Sequence, residues 1–243
     1  MKTNPKMHRG FTLVELLVVI VIIATLASFA APQVMKQVKR ADQAQATNNA
    51  RQIGIALFEF ENDYNSFPDD STAVAVKEAT DTVLVTGNSA NDRFRQIIRA
   101  GIIKSEDVFY AKTSYTKKPD NVVDTDVKAL GKGEVGFGII MTTDNKGLSS
   151  SGNTSRPILA TPFTSALNKP EFDIDAYLGK AVILKADNSV SSETIVPTSK
   201  TIKIGGKNIL QDGENTVWGP SNPVKFAYPQ GKTAVTTVDK AQP

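Results

Sequence analysis

The sequence predicts an α+β protein: a long N-terminal α-helix, half of it membrane-embedded, and a C-terminal globular head built on an antiparallel β-sheet. Three observations carry that expectation. From Phe11 to Ala31 there are 21 residues, and only Glu15 among them is charged. At about 1.5 Å rise per residue this run makes roughly 32 Å of helix, the thickness of a bilayer's hydrocarbon core. Helix-period apolar spacing then continues to Tyr64, and beyond residue 135 it gives way to short β-branched and aromatic runs between turn residues. The expected divisions are a leader at 1–10, an apolar helix at 11–31, a polar continuation of that helix at 32–64, and a head at 65–243.

The leader holds Lys2, Lys6, His8 and Arg9 and no acid. Its positive charge holds it on the cytoplasmic side of a membrane. The formal net charge of the chain is +3, and the leader supplies all of it, so the remainder is formally neutral. The pI of about 8.9 is therefore partly a targeting signal. No nucleic-acid partner is expected, because that would need a clustered basic face. An ordinary secretory signal is the competing reading, with Ser28-Phe29-Ala30 as a small-x-small cleavage site. Against it stand the length of the apolar run and Glu15 inside its start. A carboxylate there costs up to about 2.5–3.5 kcal/mol at mid-membrane and less near the interface, so it needs a partner.

The run Gly10-Phe11-Thr12-Leu13-Val14-Glu15-Leu16 resembles the processing site of type IV pilins and of the pseudopilins of type II secretion systems. The resemblance implies that a prepilin peptidase cuts after Gly10 and that the new N-terminal Phe11 is methylated on its amine. It implies that Glu15 takes part in filament assembly and that Pro32 matches a proline common past the membrane-embedded part of the helix. The implied partners are that peptidase, copies of the chain and other pilin-like subunits, an inner-membrane assembly platform and membrane lipid. The implied location is the bacterial inner membrane, crossed once, with the head in the periplasm or outside the cell in a filament. After cleavage Glu15 lies in the first helical turn, where the helix dipole favours negative charge. Its natural cation is an N-terminal amine, that of its own Phe11 or of the next subunit. Many pilins close a C-terminal loop with a cysteine pair, whereas this chain has no cysteine. That departure favours a pseudopilin over an adhesive or twitching pilin.

Past Ala31, Pro32 lacks an N–H and crowds the carbonyl of Ser28, which predicts a kink or local unwinding. Val34, Met35, Val38, Ala41 and Ala44 form a thin apolar stripe among charged and amide residues. Ile53, Leu57, Phe60 and Tyr64 then mark one helix face, with Ile55 and Phe58 off it. A broad face buried in the chain's own head is the preferred explanation, and contact with neighbouring subunits the sharper one. Phe67-Pro68 ends the helix. The stretch from Ala56 to Pro68 is similar to the end of the long helix in the major pseudopilin, where an aromatic-Pro pair leads into the head.

In the head, residues 71–88 are poorly patterned, with a helical turn or two over Val74–Ala79. Ser89-Ala90-Asn91-Asp92 reads as a capping box, opening a helix from about 90 to 100 with Gly101 as its C′ residue. Ser105 caps a short turn through Phe109, and residues 112–132 read as a loop. Candidate strands are Val135–Thr142, Pro157–Thr161, Ala181–Ala186, Val190–Val196 and Thr201–Ile204. Asp187-Asn188 suggests a tight hairpin and Gly205-Gly206 another turn. Trp218-Gly219-Pro220 begins an irregular tail expected to pack back on the sheet.

Composition excludes much chemistry. His8 is the only histidine, so a chain cut after Gly10 has neither His nor Cys. That removes a Ser-His-Asp triad, a Cys nucleophile and the usual His/Cys zinc sites. Gly131-Lys132-Gly133-Glu134-Val135-Gly136 fits G-x-G-x-x-G, but a strand-like run follows it, so it reads as a turn. Asp120, Asp124 and Asp126, and separately Asp173 and Asp175, are loop acids. They read as solvated. No cofactor is expected, and calcium is the one ligand kept open, since the resemblance extends to the major pseudopilin, which binds calcium in its head; the spacing is not that of an EF-hand. Two alternatives to a filament subunit stand: a monomeric exported binding domain on an uncleaved anchor, and an anchored carbohydrate-active enzyme working through carboxylates. No catalytic residue is singled out, and an enzyme is not expected.

Overall fold

A computed structural model describes residues 11–82, 86–123, 129–164 and 171–231. The chain divides into two compact units, residues 1–39 and residues 40–243. The first helix, α1 (Leu13–Tyr64), contributes to both.

In the first unit no described residue is buried. The helix continues through Pro32 without unwinding. Here an apolar helix exposes every large side chain it has: Phe11, Leu13, Leu26 and Phe29 are among the most exposed.

The second unit holds the later part of α1, then α2 (Asp70–Thr80), α3 (Ala90–Arg99), a 3₁₀ turn (Glu106–Phe109) and seven strands. The strands are β1 (Gly138–Thr142), β2 (Pro157–Thr161), β3 (Lys180–Lys185), β4 (Val190–Val196), β5 (Thr201–Ile204), β6 (Lys207–Asn208) and β7 (Val224–Ala227). They form one antiparallel sheet in the order β6-β5-β4-β3-β2-β1-β7. Six consecutive strands meander, and β7 returns to the free side of β1. β2 is buried along its whole length, and so are the central residues of β3. The outer edges are short: β6 has two residues, and β7 runs four residues between Pro223 and Pro229.

Helix ends follow local chemistry. Ser89 and Asp92 form a reciprocal capping box at the start of α3. At its end Gly101 (φ +77°) donates to Ile98 O at 2.9 Å, and Ile102 N–H reaches Ile97 O at 3.3 Å. That is the Schellman pattern, which needs a left-handed C′ residue. A second capping box opens α2, where Asp69 Oδ1 accepts from the N–H groups of Ser71 and Thr72 and Thr72 Oγ1 accepts from Asp69 N–H. Here Thr replaces the usual Glu or Gln at the third position. The weak sequence pattern there reduced α2 to a turn or two, and the cap explains the full helix.

In the second unit α1 is fixed to the head at several points. Ala46, Ala50, Ile53, Leu57 and Phe60 enter the core. Asn49 Nδ2 donates to the carbonyls of Asp107 and Tyr110 at 2.9 and 2.8 Å. Glu61 accepts from Ser150 N–H at 2.9 Å. Gly54 is buried where the β3–β4 hairpin crosses the helix. A Cβ there would lie 3.1 Å from both Asn188 Cγ and Leu184 Cδ1 and would overlap Asn188 Oδ1. The hairpin loop is Ala186-Asp187-Asn188, with Asn188 at φ +62° and Lys185 N–H bonded to Ser189 O at 2.9 Å.

Three expectations need correction. Ile55 is not part of a broad buried face: it is 57 % exposed, while Phe58 is half-buried. The first strand starts at Gly138, not Val135, because Gly136 N–H bonds to Phe109 O and residues 135–137 pack there as irregular chain. The tail after Trp218 is partly regular, since residues 224–227 pair with β1 as β7.

Candidate functional site

The candidate site is the start of α1. Thr12 is the last non-helical residue, and Glu15 stands three positions on. Glu15 Oε2 accepts from Thr12 N–H at 2.8 Å and from Thr12 Oγ1 at 2.7 Å. Glu15 N–H donates back to Thr12 Oγ1 at 3.2 Å. This Thr-x-x-Glu arrangement is itself a capping box, satisfying two helix-terminal N–H groups reciprocally. The pattern is legible in the sequence as Thr12-Leu13-Val14-Glu15. Its consequence is specific: one carboxylate oxygen is committed to the helix start and Oε1 is not. Among the described residues Glu15 has no ion-pair partner.

Behind the cap, α1 is long and apolar enough to cross a membrane. Thr25 and Ser28, the polar residues in the run, return their hydroxyls to the carbonyls of Ile22 and Ala24 at 2.8 and 2.7 Å. Such internal bonds let hydroxyls sit in an apolar medium without unpaired donors. Phe11 is 74 % exposed at the open end. Gly10 and the rest of the leader lie outside the described residues.

The loop acids sort differently from their expected grouping. Asp120 lies with Glu106 and Glu134, their carboxylate oxygens within 4.8 Å of one another. Asp124 and Asp126 lie outside the described residues. Asp173 accepts from Asp175 N–H at 2.9 Å in a local turn. Glu106 and Glu134 are buried, which a sequence reading of loop acids gives no reason to expect. Glu106 accepts from Leu130 N–H and, at 2.8 Å, from Asn121 N–H. Glu134 accepts from Gly131 N–H at 2.5 Å and pairs with Lys117 at 3.0 Å. Burial, reinforced by the neighbouring Glu134, holds the Glu106 carboxyl above its usual range against the pull of the Leu130 N–H. The hydrogen bond and charge of Glu134 raise the Lys117 ammonium. These acids would suit an oxygen-liganded cation by spacing, but their buried oxygens already accept backbone N–H groups. They pin Lys117, Asn121, Leu130 and Gly131. Gly131–Gly136 is a turn, with Glu134 N–H bonded to Gly131 O at 3.1 Å, and a strand follows it. No catalytic constellation is assembled among the described residues.

Comparison with known proteins falls on the same end of the chain. Residues 5–31 match the family described as the prokaryotic N-terminal methylation motif. The type II secretion system core protein G of Pectobacterium carotovorum subsp. carotovorum is 39 % identical over 61 residues, which is 25 % of this chain and 39 % of that protein. The chain thus spans about two fifths of the length of the curated relative it matches. No solved structure matches the chain.

Proposed function

We propose that this chain, a member of the type IV pilin-like and type II secretion pseudopilin family by its N-terminal segment, is a structural subunit of a helical secretion or pilus-like filament. It is cut after Gly10 by a prepilin peptidase, methylated on the amine of Phe11, and held in the bacterial inner membrane by residues 11–31 until an assembly platform extracts it. The head then lies in the periplasm or on a filament outside the cell. Its role is mechanical; no step of catalysis is assigned to it.

The observation that carries this reading is the Thr12–Glu15 cap at the open end of an unburied apolar helix. An acid placed there purely as a cap could be exchanged for Gln. A filament subunit has a further use for it. Glu15 Oε1 is free to meet a cation, and cleavage at Gly10 creates one at Phe11, which stays positive after methylation. A neighbouring copy can bring its own Phe11 amine to this oxygen while Oε2 remains on Thr12. Pairing offsets the desolvation of both charges, and it is satisfied between copies only at a set stagger.

The test is the mature N-terminus. Mass spectrometry of protein isolated from membranes should find a methylated Phe11 start and no Met1. A start at Met1 or Ala31 rejects the reading. A bulky replacement of Gly10 should leave uncut precursor in the membrane.

A further inference from the structure

Among the described residues, two apolar surfaces stand unpartnered once the membrane run and the core are accounted for. The first is a groove on the head lined by Ile55, Ala56, Ile102, Ile103 and Val108, with a volume of about 210 Å³. Ile55 stands 57 % exposed at its wall, and Ile102, Ile103 and Val108 are half-buried. The second is the stripe Val34, Met35 and Val38, 58, 58 and 47 % exposed. Val38 lies one helical turn from both Val34 and Met35, and all three lie past the bilayer-length run, so lipid tails do not cover them. Among the described residues beyond Ala31, the other exposed large hydrophobics are Val74 and Leu178.

We propose that the groove receives the Val34–Met35–Val38 stripe of a second copy of this chain. The proposal rests on the filament reading above and names the contact that reading leaves open. Three observations select this occupant. Among the described residues beyond Ala31 the stripe is the one contiguous exposed apolar cluster outside the groove, and single side chains such as Val74 or Leu178 do not fill a groove. Charge matches: Glu59 is the one charged side chain lining the groove, and it makes no hydrogen bond or ion pair among the described residues. Lys36 and Lys39 flank the stripe. Finally, groove and stripe are different surfaces of the same chain. A contact between unlike surfaces is heterologous: each added copy fills one free surface and presents another, which is the kind of contact an open-ended filament requires.

The test uses the full chain in an assembling host. The protein has no cysteine, so a disulfide between Val38→Cys in one copy and Ile55→Cys in a co-expressed copy reports this contact alone. A disulfide forms only where the Cα atoms approach within about 7 Å. Cross-linked dimer is expected in the filament fraction, and none when Val74→Cys replaces Ile55→Cys. Glu59→Lys should lower filament yield about tenfold, an interaction loss near 1.4 kcal/mol. Adding Lys36→Glu and Lys39→Glu should restore it. Filaments that form at wild-type yield from the Val38→Cys and Ile55→Cys copies yet carry no cross-link, or full yield from Glu59→Lys, overturn the contact and leave the filament reading standing. A wild-type chain that starts at Phe11 and never assembles overturns both.

Discussion

Replacing Gly54 with alanine sets two known effects against each other. In an exposed helix interior the change stabilises by about 1 kcal/mol, because glycine has the most backbone freedom to lose. At this position the added Cβ meets Leu184 Cδ1 and Asn188 Cγ, both at 3.1 Å, and overlaps the Asn188 amide oxygen. Overpacking of this kind costs about 1–3 kcal/mol. The amide can partly rotate aside, so Gly54→Ala should destabilise by a net ~1 kcal/mol. Gly54→Leu, which cannot be accommodated by one rotation, should lose about 3 kcal/mol or more. Asn188 sits at φ +62°, and its Oδ1 is buried without a partner among the described residues. Asn188→Gly keeps the positive φ and clears the space. In the double variant the alanine should recover its helix preference, giving a coupling of about 1–2 kcal/mol. The assay is thermal unfolding of residues 35–243, which keep Ile53, Leu57 and Phe60 for docking and should be soluble and folded. Each kcal/mol should move the melting temperature by about 2–4 °C at this chain length. If Gly54→Ala alone proves more stable than the parent by ~1 kcal/mol, the hairpin does not press on the helix and the reasoning is wrong.

Other expectations follow from the acids. Glu15→Val should still insert and still be cut at Gly10, because it makes the run more apolar, yet it should fail to assemble as the sole copy; deleting one partner of a buried pair costs about 3–5 kcal/mol. Recovery of Glu15→Val filaments at wild-type yield would remove the proposed role. Glu106→Gln turns one acceptor into a donor facing a backbone N–H and should destabilise the head by about 1–3 kcal/mol. Its pH dependence has a definite sign. Burial raises the Glu106 carboxyl in the folded state, so the stability it contributes is full below the ordinary carboxylate pKa. It is lost as pH rises through the raised value. The margin of wild type over Glu106→Gln should therefore shrink as pH climbs from the acid side, and a margin that widens contradicts the assignment. Excess calcium should leave the melting temperature of the head unchanged, since the buried oxygens of Glu106 and Glu134 are occupied; a rise abolished by Asp120→Asn would establish a calcium site instead, because a bound ligand must stabilise the native state.

Much of this architecture was legible in the residues. The long helix, the Ser89 cap, the Gly101 end and strands β2, β4 and β5 all follow from local rules in which side-chain period and terminal hydrogen bonds agree. The misses have physical causes. α2 begins on an Asp69–Thr72 box whose third position lacks the usual Glu or Gln. β7 is four residues between two prolines, and proline at both ends reads as loop. Glu106 and Glu134 lie nearly thirty positions apart on irregular chain, and nothing in periodicity brings distant loop acids together. Nothing in the local sequence marks Gly54, and only the hairpin that presses on it explains a glycine inside the helix. At the candidate site the sequence named Phe11 and Glu15 through resemblance. The Thr12-x-x-Glu15 spacing also carries the capping box that commits one carboxylate oxygen to Thr12.

The edges of the sheet bear on how such heads can be crowded together. An open strand edge offers unpaired N–H and C=O groups to any other chain, and packed copies of one protein are the setting in which edges zip into aggregates. Here one border ends in a strand of two residues that carries Lys207, with Lys203 on the strand beside it, and the other is a short strand closed at each end by proline. Neither gives a second head a template of useful length. Heads can therefore be held at very high local concentration without fusing through their backbones, and the order of the array is left to side-chain contacts, which are reversible.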